Sequence, residues 1–252
     1  MKKICLLSFF LITYVSAQSG LEYVYNRAID EYNRGNFKAS KDFVERLIEK
    51  NYPNPYIYFV LGKIYREDET YNHNKAVFNL KKYINYKRTQ TEYLKSRTNR
   101  MYASVNLAYE YLKIWNPENI ERAKETLETF AQDSELRDHA DFRFCYATVY
   151  NSSGYYLLRA ARATEVDAEY YLPAINDFIN ALDKRPELVG VANNLAIAYI
   201  RAVELLPKKS RKRSEYIRLV NDLFNKKMYK KKKIFADTKA YFYEKICPDC
   251  KQ

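Results

Sequence analysis

The chain has 252 residues, enough for one or two domains, and 47% of them are hydrophobic, enough for a substantial core. Five glycines and seven prolines are too few for the turns of a β-sandwich or barrel, which favours an all-α protein. The net charge of +12 is concentrated in residues 208–233, where twelve Lys or Arg residues face only Glu215 and Asp222. The high pI therefore describes one segment and excludes a uniformly basic surface.

Residues 1–17 have the layout of a secretory signal peptide. Lys2 and Lys3 precede an apolar run, Ile4–Val15, and the small residues Ser16 and Ala17 follow it. The run is shorter than the ~20 residues that span a bilayer, which argues against a membrane anchor. The sequence therefore predicts export to the periplasm or the outer-membrane periphery of a bacterium, with secretion as an alternative.

A recurrent pattern of helix-packing residues begins after this segment. In residues 54–65 an aromatic residue, Tyr58, is followed by Leu61, Gly62 and Tyr65 at helical spacing. A glycine inside a helix costs roughly 1 kcal/mol relative to alanine, so the small size of Gly62 must serve close packing. Alanines hold the same place in four other units: Ala28, Ala108, Ala147 and Ala196.

This pattern resembles the tetratricopeptide repeat, a pair of antiparallel helices in which the small residue of the first helix lets the second approach closely. The resemblance covers about residues 21–206. It implies an α-solenoid of about five repeats, near 21–53, 54–86, 99–133, 140–186 and 187–224. Extra residues are expected around Tyr86–Thr98 and after Gly154, in longer helices or links. Another array of helical hairpins, such as Sel1-like repeats, or an irregular α-bundle is the alternative.

The resemblance also implies a concave groove, lined by the first helix of each pair, that binds a segment of another protein. Asn26, Asn106 and Asn194 stand two residues before the packing alanine, where asparagines of this family often hydrogen-bond a peptide backbone. Alternatively, these asparagines follow the repeat pattern and bind nothing. The groove would further include residues about one helical turn away: Phe59, Lys63, Arg66, Tyr102, Tyr109, Asn193, Ile197 and Arg201.

Residues 207–252 form a basic, helical C-terminal segment that ends in Cys-Pro-Asp-Cys. One interpretation is a solvated helix that completes the last pair, because a terminal repeat needs a polar outer face. The other is contact with an anionic surface, lipid or wall polymer, or with nucleic acid if the chain is not exported. The basic residues expected at such a contact are Lys208, Lys209, Arg211, Lys212, Arg213, Lys230, Lys231, Lys232 and Lys233.

The sequence carries little that indicates catalysis. It has no Gly-rich phosphate loop and no hydrolase or metalloprotease motif, and its two histidines, His73 and His139, lie on separate repeats. We therefore expect no enzyme activity, cofactor, metal site or small-molecule substrate. Cys247 and Cys250 favour a local disulfide in an exported chain, while free thiols, half of a metal site and thiol exchange remain alternatives.

The sequence as a whole predicts a non-enzymatic interaction scaffold or adaptor of the bacterial cell envelope, which binds a protein segment in its groove. The alternative is a basic protein tethered through residues 208–233 to anionic lipid, wall polymer or nucleic acid, with the solenoid as a spacer. A thiol enzyme that uses Cys247 and Cys250 is a third hypothesis.

Overall fold

A computed structural model describes residues 20–164 and 167–250, and the predicted signal peptide at 1–17 lies outside them. Within these ranges the regular structure is helical and no strand occurs, as the sequence predicts. The chain divides into two compact units, one up to Glu110 and one from Tyr111. Among the described residues, no helix is both long and apolar enough to cross a bilayer.

The described part of the first unit contains five α-helices and most of a sixth. These are α1 (20–33), α2 (Phe37–Glu49), α3 (Tyr56–Ile64), α4 (His73–Ile84), α5 (Gln90–Lys95) and α6 (Arg97–Lys113). Helix α3 packs against both α2 and α4. Gly35, in the turn between α1 and α2, has a φ of +80°, a conformation that glycine adopts without steric cost. The short helix α5 occupies the first predicted insertion, between α4 and α6.

Gly62 lies where α3 meets α4. A Cβ atom placed on this glycine would lie 2.7 Å from Leu80 Cγ and 3.2 Å from the Leu80 backbone nitrogen. Leu80 has no exposed surface, so it cannot swing away. The predicted reason for this glycine, close approach of the second helix, is confirmed. The four alanines of the same pattern are also completely buried: Ala28, Ala108, Ala147 and Ala196.

The second unit contains the remaining helices of the described chain. These are α7 (Pro117–Ala131), α8 (Ala140–Thr164), α9 (Leu172–Lys184), α10 (Val189–Leu205), α11 (Arg211–Asn225) and α12 (Ala236–Tyr241). Each of α7 to α11 packs against its neighbour in the chain. The insertion predicted after Gly154 lengthens α8, which runs for 25 residues. Gly154 itself makes a second close approach that the repeat pattern did not indicate, because a Cβ there would lie 2.8 Å from the Phe178 ring.

The C-terminal segment folds back onto the last helix pair. Helix α11 packs on α10 as its second helix, as predicted for a terminal pair. The rings of Phe235 and Phe242 then lie 5.6 and 5.5 Å from the ring of Phe224 on α11. All three side chains are fully buried. The end of the chain thus covers the apolar end of the helix array while its lysines stay outside.

A polar group is buried where α7, α8 and α9 meet. The residue Asp177 is 6% exposed, and its carboxylate oxygen Oδ1 accepts a hydrogen bond from Lys124 Nζ at 3.3 Å. Burial raises the pKa of the Asp177 carboxyl, although hydrogen bonds from Ser153 and Lys124 oppose this shift. A buried carboxylate with a raised pKa weakens the fold when it ionises.

This pKa shift predicts a pH-dependent effect of the Asp177→Asn substitution. The stability that Asp177 contributes is fully present below the pKa of an unfolded aspartate, about 3.9, and is lost as the pH rises through the higher folded pKa. The variant cannot ionise, so its stability relative to wild type should increase from about pH 4 to pH 7. Urea unfolding across this range measures the difference. Asp183→Asn, at an exposed side chain of α9, is the control, and parallel curves for wild type and Asp177→Asn would contradict the prediction.

Candidate functional site

One face of α8 carries a row of side chains that a partner can reach. Phe144, Thr148, Asn151, Tyr155 and Arg159 follow one another at three- and four-residue spacing, which places them along one side of the helix. Phe144 is 46% exposed and Tyr155 is 44% exposed. Two large aromatic side chains are therefore held open to solvent on either side of the Asn151 amide.

The predicted groove asparagine of the last repeat lies beside this row. The Nδ2 atom of Asn194, on α10, donates a hydrogen bond to Oδ1 of Asn151 at 3.3 Å. Within the described residues no other hydrogen bond uses Asn194 Oδ1 or the amide nitrogen of Asn151. A free carbonyl and a free amide group side by side match the two groups of a peptide backbone.

Three other predicted groove residues lie on α10, and all are half-buried. Asn193 Oδ1 is buried and has no hydrogen-bond partner in the described part of the chain, which is an unusual state for a polar atom. Arg201 donates to Glu204 Oε2 at 2.9 Å, and the hydroxyl of Tyr241 donates to the other oxygen of Glu204. The C-terminal segment therefore fixes Arg201 in place, while Ile197 adds apolar surface next to Asn194.

An aromatic cluster continues the α8 row. Trp115, in the link between α6 and α7, has its ring centroid 6.2 Å from Tyr155 and 5.6 Å from Tyr156. The guanidinium carbon of Arg159 lies 5.8 Å from the Trp115 ring, and the tryptophan is 42% exposed. Trp, Tyr and Arg are the residues that carry most binding energy in protein interfaces.

Sequence reasoning missed much of this surface. It placed neither Phe144 nor Asn151 in the groove, nor Trp115 or Arg159. The regular spacing of the α8 residues was visible in the sequence and could have revealed three of them, but the exposure of Trp115 depends on a link between helices that the repeat pattern does not describe.

The predicted groove residues of the first unit are only partly open. Asn26, on α1, is exposed. Phe59 is 4% exposed, and its ring stacks on Tyr83 at 5.3 Å, so it belongs to the core and does not line an open groove as predicted. The Lys63 ammonium lies 4.3 Å from the centre of the Tyr32 ring, and burial lowers the pKa of this lysine.

Arg66 forms an ion pair within the protein. Its Nε atom donates to Oε1 of Glu110 at 2.8 Å, and Glu110 is fully buried. The Nδ1 atom of His73 lies 3.5 Å from the other oxygen of that carboxylate. The guanidinium is therefore turned towards a buried carboxylate, so its charge is engaged within the protein and we no longer expect Arg66 to contact a partner.

The remaining predicted residues of the first unit lie on α6. Tyr102, Asn106 and Tyr109 are all half-buried. Asn106 Nδ2 donates to the backbone oxygen of Tyr102 at 2.7 Å. This bond within the helix leaves the carbonyl side of the amide for a partner, so a groove role of these residues stays a prediction.

A cavity of about 610 Å³ in the first unit was not predicted. It is lined by tyrosines and cations, including Tyr25, Tyr56, Tyr83 and Arg88. The guanidinium of Arg88 donates to the backbone oxygens of Tyr83 at 2.7 Å and Tyr86 at 2.8 Å, at the end of α4. Tyr83 lies in the last turn of α4, where carbonyls lack an amide donor from a further helical turn, so Arg88 caps the end of this helix and its charge is used locally.

The predicted basic contact residues fall into two separate clusters. Lys208, Lys209, Arg211, Lys212 and Arg213 lie at the beginning of α11, whereas Lys230–Lys233 lie beyond its end. A helix of 15 residues is about 22 Å long. In the described chain no carboxylate lies within 4.0 Å of any of these nine side-chain cations.

A disulfide joins Cys247 and Cys250 near the C-terminus, the pairing that the sequence favoured. Cys145 is buried in α8. Residues 20–164 and 167–250 contain no group of three or more His, Cys, Asp or Glu side chains arranged to hold a metal ion.

No family model matches the sequence, and no curated protein matches it with significance. Solved structures do match. The crystal structure of MamA is 15% identical over 88% of this chain and 94% of its own, with a TM-score of 0.50. A structure described as YrrB, a TPR protein with an unusual peptide-binding site, is 14% identical over 86% of this chain and 90% of its own, with a TM-score of 0.49.

At this level of identity the likeness concerns the fold alone. The likeness to MamA agrees with the helix pairs and with the close contact at Gly62 that the repeat pattern predicts. The chain therefore has an all-α solenoid fold of the tetratricopeptide-repeat type.

Proposed function

We propose that this protein is a non-enzymatic scaffold that binds a segment of another protein across α8 and α10. The observation that carries the proposal is the hydrogen-bonded pair of half-buried Asn151 and Asn194, which leaves one carbonyl and one amide group without another hydrogen bond in the described chain. These groups can pair with an extended peptide backbone without demanding a particular side chain.

The surroundings of the asparagine pair favour a particular partner chemistry. Phe144 and Tyr155 are exposed on both sides of Asn151, and Trp115 with Arg159 extends the surface. Rigid aromatic side chains offer large apolar contact at small entropic cost. We infer that the bound segment is extended, carries apolar or aromatic side chains, and has an acidic residue that meets Arg159.

We further propose that the protein acts in the cell envelope. This location rests on the basic and apolar layout of residues 1–17 in the sequence, outside the described residues. Fractionation of expressing cells, with sequencing of the mature N-terminus, tests it. A mature protein that begins near Gln18 in the periplasmic fraction would support export, and an intact N-terminus in the cytoplasmic fraction would contradict it.

Crosslinking in cells tests the binding surface. A photoreactive residue at Asn194 and another at Tyr155 should capture the same protein. A probe at Asn180, an exposed residue on α9, is the control and should not capture it.

The matched variant is the double substitution Asn151→Ala and Asn194→Ala. Each lost hydrogen bond contributes about 1 kcal/mol, so the affinity for the captured partner should fall about tenfold to thirtyfold. Unchanged affinity, or equal capture by the Asn180 probe, would show that the segment does not bind here.

The second candidate function is the tether to an anionic surface through residues 208–233. It is favoured because, in the described chain, no carboxylate lies within 4.0 Å of the nine basic residues predicted to contact such a surface. These residues form two clusters, and only Lys230–Lys233 has an exposed aliphatic side chain on each side, Met228 and Ile234. This difference narrows the tether hypothesis to one cluster.

A further inference from the structure

We propose that residues 226–234, here called the lysine loop, dock on an anionic phospholipid bilayer, with the lysines over the headgroups and Met228 and Ile234 in the interfacial layer. This proposal narrows the tether hypothesis to one end of α11. It does not depend on segment binding by α8 and α10, which involves other residues.

The lysine loop carries six lysines and no acidic residue. All six are exposed: Lys226, Lys227, Lys230, Lys231, Lys232 and Lys233. No carboxylate lies within 4.0 Å of their ammonium groups in the part of the chain that the structure describes. The charge of the loop is thus available to a partner instead of being neutralised within the protein.

A single buried side chain anchors the loop. Tyr229 is 1% exposed, its hydroxyl donates to the backbone oxygen of Pro186, and its ring lies 5.7 Å from Phe235. Short backbone bonds tighten the turn, with the amides of Tyr229 and Lys230 donating to Lys226 O at 2.8 and 2.9 Å. The lysines are therefore presented from a fixed turn.

Two apolar side chains remain outside. Met228 is 42% exposed and Ile234 is 53% exposed, and each immediately precedes a buried aromatic residue, Tyr229 or Phe235. Burial of the aromatic neighbour fixes the backbone on both sides of the lysine run. Exposed aliphatic side chains among lysines are the combination that membrane-surface segments use, because the apolar groups enter the interface while the charges meet anionic lipid.

The same features disfavour nucleic acid. Single-stranded binding needs exposed aromatic faces on which bases stack, but the one aromatic residue among Lys226–Lys233, Tyr229, is buried. The loop contains no arginine, the residue whose planar fork recognises individual phosphates in two-point contacts. Compact lysine charges suit a diffuse layer of anionic headgroups.

The cluster at the beginning of α11 serves as an internal comparison. Lys208, Lys209 and Arg211 are exposed, as the loop lysines are. In residues 207–213 the one apolar side chain is Pro207, and the exposed aliphatic side chain nearest in sequence, Leu205 at 39% exposure, belongs to α10. If binding required charge alone, both clusters should contribute equally, so the difference between them tests the role of Met228 and Ile234.

The experiment is co-sedimentation of the full chain with vesicles that contain phosphatidylcholine with or without 30% phosphatidylglycerol. Three double variants are compared with wild type: Lys230→Gln with Lys231→Gln, Met228→Ser with Ile234→Ser, and Lys208→Gln with Lys209→Gln as the control. All of them share residues 1–19, so any contribution of that segment cancels in the comparison. Circular dichroism checks that each variant remains folded.

Wild type should bind the anionic vesicles and bind phosphatidylcholine alone much more weakly. Each lysine near an anionic surface strengthens binding about fivefold, so the loop lysine variant should bind roughly twentyfold more weakly. The affinity of the Met228 and Ile234 variant for the vesicles should fall about tenfold, because binding removes less apolar surface from water. The Lys208 and Lys209 variant should stay within about twofold of wild type.

Several results would overturn the proposal. Equal losses of vesicle affinity in the two lysine variants would indicate diffuse charge attraction. Vesicle binding by the Met228 and Ile234 variant at the wild-type level would show that these two side chains do not insert into the bilayer. A parallel measurement uses fluorescently labelled single-stranded and double-stranded DNA and polyphosphate. Strong binding to one of these polymers without binding to anionic vesicles would show that the lysine loop binds a polyanion and not lipid.

Discussion

The Gly62→Val substitution is expected to lower the free energy of unfolding by about 3 kcal/mol. Even the first added carbon would lie 2.7 Å from Leu80 Cγ and 3.2 Å from the Leu80 backbone nitrogen. The side-chain contact could be relieved by a rotation in a loose core, but Leu80 is fully buried and its backbone belongs to α4. The two helices must therefore move apart, which loosens the packing of α3 on α4.

Urea unfolding, monitored by circular dichroism, measures this effect as a lower urea concentration at the midpoint, with the dependence of the unfolding free energy on urea unchanged. Gly190→Ala is the control, because Gly190 also lies in a helix and the nearest atom to its added Cβ, Ile234 Cδ1, is 4.0 Å away. That variant should be as stable as wild type or up to about 1 kcal/mol more stable, since alanine favours the helix. Similar stability of Gly62→Val and wild type would show that the small residue is not needed for the contact.

The Arg66→Met substitution is expected to cost about 3 kcal/mol of folding stability while leaving partner binding unchanged. Methionine retains most of the apolar stem of arginine but removes the guanidinium that donates to Glu110 at 2.8 Å. The buried carboxylate of Glu110 then loses a cation, and the remaining polar neighbours compensate for it only in part.

A double-mutant cycle separates this charge effect from lost packing. Arg66→Met should be much less harmful in a Glu110→Gln background, because a neutral amide needs no cation. A coupling of at least about 1.5 kcal/mol is expected. Additive losses would mean that the ion pair contributes little. A strong loss of partner affinity by a stable Arg66→Met variant would restore the original groove assignment.

The helical class and the pairing of helices were predictable from the sequence, because both depend on local spacing. Leu61, Gly62 and Tyr65 repeat at intervals that place them on one side of a helix, and the cost of glycine identifies a close contact. The concentration of positive charge near the C-terminus is likewise a property of composition. Neither needs knowledge of distant contacts.

The binding surface was predictable only in part. Helical spacing correctly placed Asn194 on the same side as Ile197 and Arg201, but it could not show that Asn194 meets Asn151, 43 residues earlier in the chain. Phe59 and Arg66 have equally suitable spacing. The structure nevertheless buries Phe59 against Tyr83 and turns Arg66 to Glu110.

The sequence by itself therefore determined the all-α class, the helix pairs, the reason for Gly62 and the presence of a basic segment. Tertiary structure alone decided which side chains remain open, that Gly154 meets Phe178, and that the basic residues separate into two clusters with Met228 and Ile234 beside one of them. The physical reason is that periodicity orients a side chain on its own helix. Its exposure depends on which other elements pack there, and those come from distant parts of the chain.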